Sequence, residues 1–191
     1  FDADPAFSPT ELNEIKAIWK NVAEDFAPFN VDVTTEQPTS YDIYHYMRII
    51  ITPSWEWFGQ AGGVSYINSF RWGDGTPAFV FSSLLGNNTK RIAEATSHEA
   101  GHTLGLRHQS VYDANGAKIA EYNPGWGIGP TSFAPIMGVS YSRTVTAFID
   151  SGEYPNWSSS SSYSTEQNDV GIITAPSSLT VDLRFATDET G

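Results

Sequence analysis

His98-Glu99-Ala100-Gly101-His102 sets two imidazoles four residues apart around a carboxylate, and a helix through this stretch puts both imidazoles on one face. Imidazoles so placed reach a single metal ion at roughly 2.0–2.1 Å each. Glu99 follows the first of them, where its carboxylate can lean over the ion and take a proton from a metal-bound water. Gly105 can adopt the left-handed backbone that ends a helix, so the chain turns back and His108 approaches as a third nitrogen ligand. Three nitrogens leave one tetrahedral position for water, the arrangement of a catalytic rather than a structural zinc site. The alternative is a chance His-Glu-x-x-His on an ordinary helix, and the added Gly105 and His108 count against it.

These residues resemble the metzincin clan of zinc endopeptidases, whose signature is His-Glu-x-x-His-x-x-Gly-x-x-His followed by a Met-turn. All five fixed positions match. The Met-turn candidate is residues 134–141 around Met137, one of two Met in the chain, in a Pro- and Gly-punctuated stretch. An ordinary core methionine is the alternative. In astacin-like and serralysin-like members a Tyr two residues after that Met approaches the metal. Here Tyr141 stands four after it. It is carried as a candidate catalytic donor, with a buried core tyrosine as the competing reading.

The resemblance implies a metzincin-like α+β fold. Its twisted, mostly parallel sheet has four to five strands and an antiparallel edge strand. Two long helices, one of them the zinc-binding helix, accompany the sheet, and an irregular C-terminal subdomain carries one further helix. Residues 1–191 then form a single catalytic domain, divided into an N-terminal subdomain, 1–108, and a C-terminal subdomain, 109–191. Such domains begin with a strand before the first helix, and residues 1–7 are too short and acidic to supply it. The expectation is that the chain is a processed piece or that residues 179–185 compensate. Matrixin-like relatives seat a freed N-terminal amine beside an acidic residue of the C-terminal helix. Phe1 beside Glu166 or Asp169 would be the equivalent here, and a frayed terminus is the favoured alternative.

The elements that must position these residues are visible in outline. Ser8-Pro9-Thr10-Glu11 reads as a capping box with Pro at the first helical position. Leu12, Ile15, Trp19, Val22 and Phe26 recur at three- and four-residue spacing, which predicts a helix of about five turns closed at Pro28. Val31 and Val33 alternate with polar neighbours. Residues 43–52 predict a buried strand, with His45 in it as a core or surface histidine rather than a ligand. The aromatic run 55–58 predicts an anchored loop, and residues 64–70 and 77–82 two more strands around a turn at Gly73-Asp74-Gly75. The zinc-binding helix is expected over 88–104, with Ala93, Ala95 and Ala100 allowing it to pack closely on the sheet. Residues 125–130 are Gly-rich and expected to be mobile near the cleft. The serine run 158–162 reads as a surface loop before a helical pattern over 165–173, and 179–185 alternate as a strand.

Composition bounds the rest. The 191 residues suit one domain with a full core, and the aromatic content argues for a globule rather than disorder. With no Cys, neither disulfides nor thiolate zinc ligation is available. That absence suits an exported enzyme and a cytosolic one alike. A net charge of −12 argues against nucleic acid and anionic membrane surfaces as partners. Ca²⁺ at Asp74 or Asp113 is a further candidate, with plain turn aspartates favoured. The expectation is therefore a secreted, monomeric zinc endopeptidase acting on protein or peptide, through a zinc-activated water and Glu99 as general base. A zinc-retaining binding module without turnover, or a zinc hydrolase of a non-peptide bond, remains the alternative.

Overall fold

The computed structural model describes residues 6–37, 46–113, 115, 117–149, 159–160 and 165–175. Phe1, His45 and the expected strand at 179–185 lie outside them. In chain order the elements are α1 (Pro9–Phe26), β1 (Ile49–Thr52), β2 (Gly63–Val64), β3 (Ala78–Phe81) and α2 (Thr89–Thr103). A hairpin of β4 (Val111–Tyr112) and β5 (Lys118–Ala120) follows. β6 (Phe133–Pro135), β7 (Val145–Ala147), β8 (Ser159–Ser160), β9 (Thr165–Glu166) and α3 (Asp169–Thr174) complete the order.

α1 starts where its sequence says it should. The Glu11 amide donates to Ser8 Oγ at 3.3 Å and the Ser8 amide to Glu11 Oε2 at 2.8 Å, a complete capping box. Its buried face differs from the expected stripe. Ile18, Val22 and Phe26 are buried, while Leu12 and Trp19 point outward. Glu11, Ile18, Val22 and Phe26 form the buried face, and Leu12 and Trp19, though at helical spacing from Phe26, lie along one flank of it and stay exposed. Trp19 instead donates its indole N–H to the Val33 carbonyl at 2.6 Å.

The sheet has three strands among the described residues, in the order β1-β3-β2, with β1 parallel and β2 antiparallel to β3. An antiparallel edge strand is therefore present, but the four- to five-stranded sheet is not seen in full. β3 is the central strand, and its antiparallel neighbour β2 forms the edge. The strand expected over 64–70 is also shorter. Asn68 takes a left-handed conformation, φ 72°, and its amide donates to the His102 carbonyl at 2.9 Å, drawing the chain off the sheet towards the end of α2. Val80 faces the core shared with α1 and α2. Phe79 and Phe81 meet Trp57 on the other side, with ring centroids 5.0 and 5.6 Å away, so the aromatic run does anchor its loop.

Later segments also depart from expectation. Residues 125–130 are pinned rather than loose. Arg143 donates to the Pro124 and Gly127 carbonyls, and Trp126 bridges Phe133. Ser159 and Ser160 pair with β9, and α3 begins only at Asp169 because the Asn168 side chain caps it by accepting from the Gly171 amide.

α1 and α2 are also joined by a polar contact. Ser97 Oγ donates to Asp25 Oδ2 at 2.5 Å. Burial pushes the Asp25 carboxyl up to about 7, opposed by that hydrogen bond. The folded protein therefore holds a proton that the unfolded chain releases, and this group's contribution to stability falls as pH rises from about 4 to about 7. Asp25→Asn is expected to gain about 4 kcal/mol on the wild type across that window and to hold a constant gap above it. Denaturant titrations across the pH range read this directly, and parallel curves for the two proteins would show that Asp25 is ionised throughout.

Candidate metal centre

α2 carries the first two candidate ligands and ends in the way its sequence requires. Asn88 caps its start, its Oδ1 accepting from the Arg91 amide at 3.1 Å. At the other end Gly105 has φ 108°, with its amide donating to the His102 carbonyl at 2.9 Å and the Leu106 amide to the Gly101 carbonyl at 3.0 Å. This is a Schellman closure, and it reverses the chain so that His108 comes back over the helix.

His98, His102 and His108 offer ligand atoms that all lie within 4.8 Å of one another. Each ring is held at Nδ1. His98 donates to the Ile136 carbonyl at 2.8 Å, His102 to the Leu106 carbonyl at 2.8 Å, and His108 to Glu121 Oε1 at 2.5 Å. With Nδ1 committed on all three, the Nε2 lone pairs are left for a common ion, so the donor set fits Zn²⁺. Burial pushes His98 down to about 3, with the neighbouring His102 adding to it, and burial also lowers His102. Both are neutral imidazoles, the form that binds a metal.

Glu99 is buried beside the triad. Ser65 Oγ donates to its Oε2 at 2.5 Å, and a side chain at Gly63 would come within 2.7 Å of its Cγ and Oε1. Edge strand β2 therefore makes room for this carboxylate, and the residue after the strand holds it. Burial raises the Glu99 carboxyl to about 7, opposed by the Ser65 hydrogen bond.

Met137 is fully buried beneath α2, its sulfur lying where a Gly101 side chain would come within 2.5 Å. The flanking carbonyls serve the site: Ile136 O receives His98, and Met137 O receives the Gln109 amide at 2.8 Å. Glu94 of α2 ties down the following segment, accepting from Ser140 Oγ at 2.5 Å and Thr146 Oγ1 at 3.2 Å. Tyr141 is half-buried against the core, but its hydroxyl lies against Gly62, 2.9 Å from where a side chain would start there. Burial pushes its phenol up to about 12, with the charge of Glu99 the next largest cause, so the hydroxyl stays protonated.

Four contributions escaped the sequence reading. Ser65 stands 34 residues before Glu99, and nothing local marks it. Glu121 reaches His108 by way of the β4–β5 hairpin. Tyr122 lies against His108, with ring centroids 4.4 Å apart. Gln167 brackets the main chain beside His108, accepting from the Arg107 amide at 2.8 Å and donating to its carbonyl at 2.6 Å. The calcium candidates find no support. Asp74 accepts from the Thr76 amide, and Asp113 from the Asn115 and Ala117 amides, so both close their own turns. Asp169, offered as a partner for Phe1, is fully buried and occupied by Gln109, Gln167 and the Ile149 amide.

Three imidazoles with free Nε2 atoms, on a helix and its reversing turn, define the centre of a metallopeptidase of the metzincin type. The chain belongs to metallopeptidase family M12B, reprolysin-like, whose pattern it matches over residues 24–175. Searches of curated proteins and of solved structures returned no match.

Proposed function

We propose that the protein is a secreted zinc endopeptidase in which Glu99 is the general base. The observation that carries this reading is the Glu99 carboxylate, buried beside the three imidazoles and held by Ser65. Ligation alone has no need of such a group, which counts against a binding module without turnover. Zinc, when bound by His98, His102 and His108, supplies a Lewis acid that polarises the scissile carbonyl and acidifies water. Glu99 takes the proton of the attacking water and returns it to the leaving amine, with its carboxyl raised towards neutral pH by burial. Tyr141 donates its hydroxyl to the developing oxyanion. An extended peptide pairs antiparallel with edge strand β2, where main-chain hydrogen bonds align it over Glu99. Met137 forms the floor of a Met-turn and does not touch substrate. Among the described residues no helix is long and apolar enough to cross a membrane. Secretion is proposed from the resemblance to secreted zinc endopeptidases.

The test is cleavage of a degenerate peptide library by zinc-loaded and chelator-stripped protein. Internal cleavage is expected only with metal, restored by added Zn²⁺. Cleavage that survives stripping, or none with zinc bound, would reject the reading. In the same assay Tyr141→Phe should lower kcat more than it raises KM, and an unchanged kcat removes Tyr141 from the mechanism.

A further inference from the structure

The three ligands are not supported alike. His98 and His102 donate to main-chain carbonyls, those of Ile136 and Leu106. His108 donates to a carboxylate, and Glu121 arrives from outside the helix and turn that carry the ligands. The chain leaves His108, runs out along β4, returns along β5 and presents Glu121 directly after that strand. Its path is held on both sides: Ser110 Oγ donates to the Glu121 carbonyl at 2.7 Å, and the Asn123 amide to the Gln109 carbonyl at 2.7 Å. The second carboxylate oxygen, Oε2, accepts from Lys118 Nζ at 2.9 Å. Oε1 is thereby aimed at His108, and the ring of Tyr122 closes over the same imidazole.

We infer that Glu121 is a positioning residue that sets the zinc affinity of His108, and that the β4–β5 hairpin serves to deliver it. The inference rests on the zinc reading above. Imidazole ligands bring no charge to a divalent ion. A carboxylate on the far nitrogen fixes the tautomer with Nε2 free, holds the ring plane, and makes the imidazole a stronger donor. His108 needs this most, because it sits on an irregular segment while its two partners ride on a helix. The competing account is that Glu121 and Lys118 are only an exposed ion pair, worth little to stability and nothing to the metal.

The experiment measures Zn²⁺ affinity of the full chain at neutral pH, by competition with a chromophoric chelator after metal removal. Glu121→Ala is expected to weaken zinc binding by about 10–100-fold with the unfolding temperature of the metal-free protein unchanged. Glu121→Gln keeps an accepting oxygen and loses the charge, so it should fall between Ala and wild type. Its near-identical size also keeps the fold should Ala disturb the hairpin. Cobalt(II) in place of zinc should show a shifted visible spectrum in both variants. Ile119→Ala, an exposed neighbour on β5, should bind zinc like the wild type. Zinc affinity in both Glu121 variants within about twofold of wild type would overturn the inference. A wild-type chain that binds no zinc would instead overturn the zinc reading on which it stands.

Discussion

Glu99→Gln is expected to keep its zinc and to lose about 10²–10⁴-fold in kcat, with KM little changed. The amide has the same size and can still accept from Ser65 Oγ, so the packing against Gly63 survives. What it cannot do is take a proton from water. Metal content measured alongside peptide hydrolysis separates the two effects. A variant that keeps most of its activity would mean that another group accepts the proton. A variant that loses its zinc would mean that Glu99 belongs to the ligand set.

Asp169→Ala is expected to act in the opposite way, on the metal and the fold before the chemistry. Asp169 Oδ1 accepts from Gln109 Nε2 and Gln167 Nε2, both at 2.8 Å, and Oδ2 from the Ile149 amide at 3.2 Å. Burial pushes its carboxyl up to about 7, opposed by those three donors. Removing the acceptor leaves the buried Ile149 amide bare and loosens both glutamines, at a cost of about 2–4 kcal/mol. For a chain of this size that lowers Tm by about 5–15 °C. Gln109 follows His108 in sequence and Gln167 holds the main chain of Arg107 just before it, so zinc affinity should fall with it. Calorimetry and chelator competition on one preparation would show both, and a Tm within about 2 °C of wild type would remove the clamp from the account.

What was legible in the sequence is what the chain encodes within a few residues. Ser8 and Glu11 cap α1 three residues apart, and Asn88 and Gly105 bound α2 where expected. The ligand spacing His98, His102, His108 needed only the helix repeat and one glycine. The misreadings share a cause. Leu12 and Trp19 are apolar at near-helical spacing, and only the packing of α1 against α2 decides that Ile18 faces inward. The strand after Val64 ends because Asn68 binds the end of a helix 34 residues later. Ser65, Glu121 and Asp169 act on groups that tertiary structure brings to them, and no local pattern distinguishes them from other polar residues. The sheet edge likewise had to await pairing, since β3 and β2 carry no mark of which is central.

The clamp on His108 also orders events in time. His102 is supported by Leu106, four residues on, and His98 by Ile136, 38 residues on. Asp169 lies 60 residues beyond Gln109, so it leaves the ribosome well after the histidines. At about 5–20 residues per second that interval is roughly 3–12 s. During it the growing chain has its imidazoles but not the α3 segment that steadies the third of them. On the zinc reading, firm metal capture is thus expected late in biosynthesis, once the C-terminal part has docked. A ribosome-stalled chain ending before Asp169 should bind zinc more weakly than one ending beyond Thr174, and equal affinity would break this ordering.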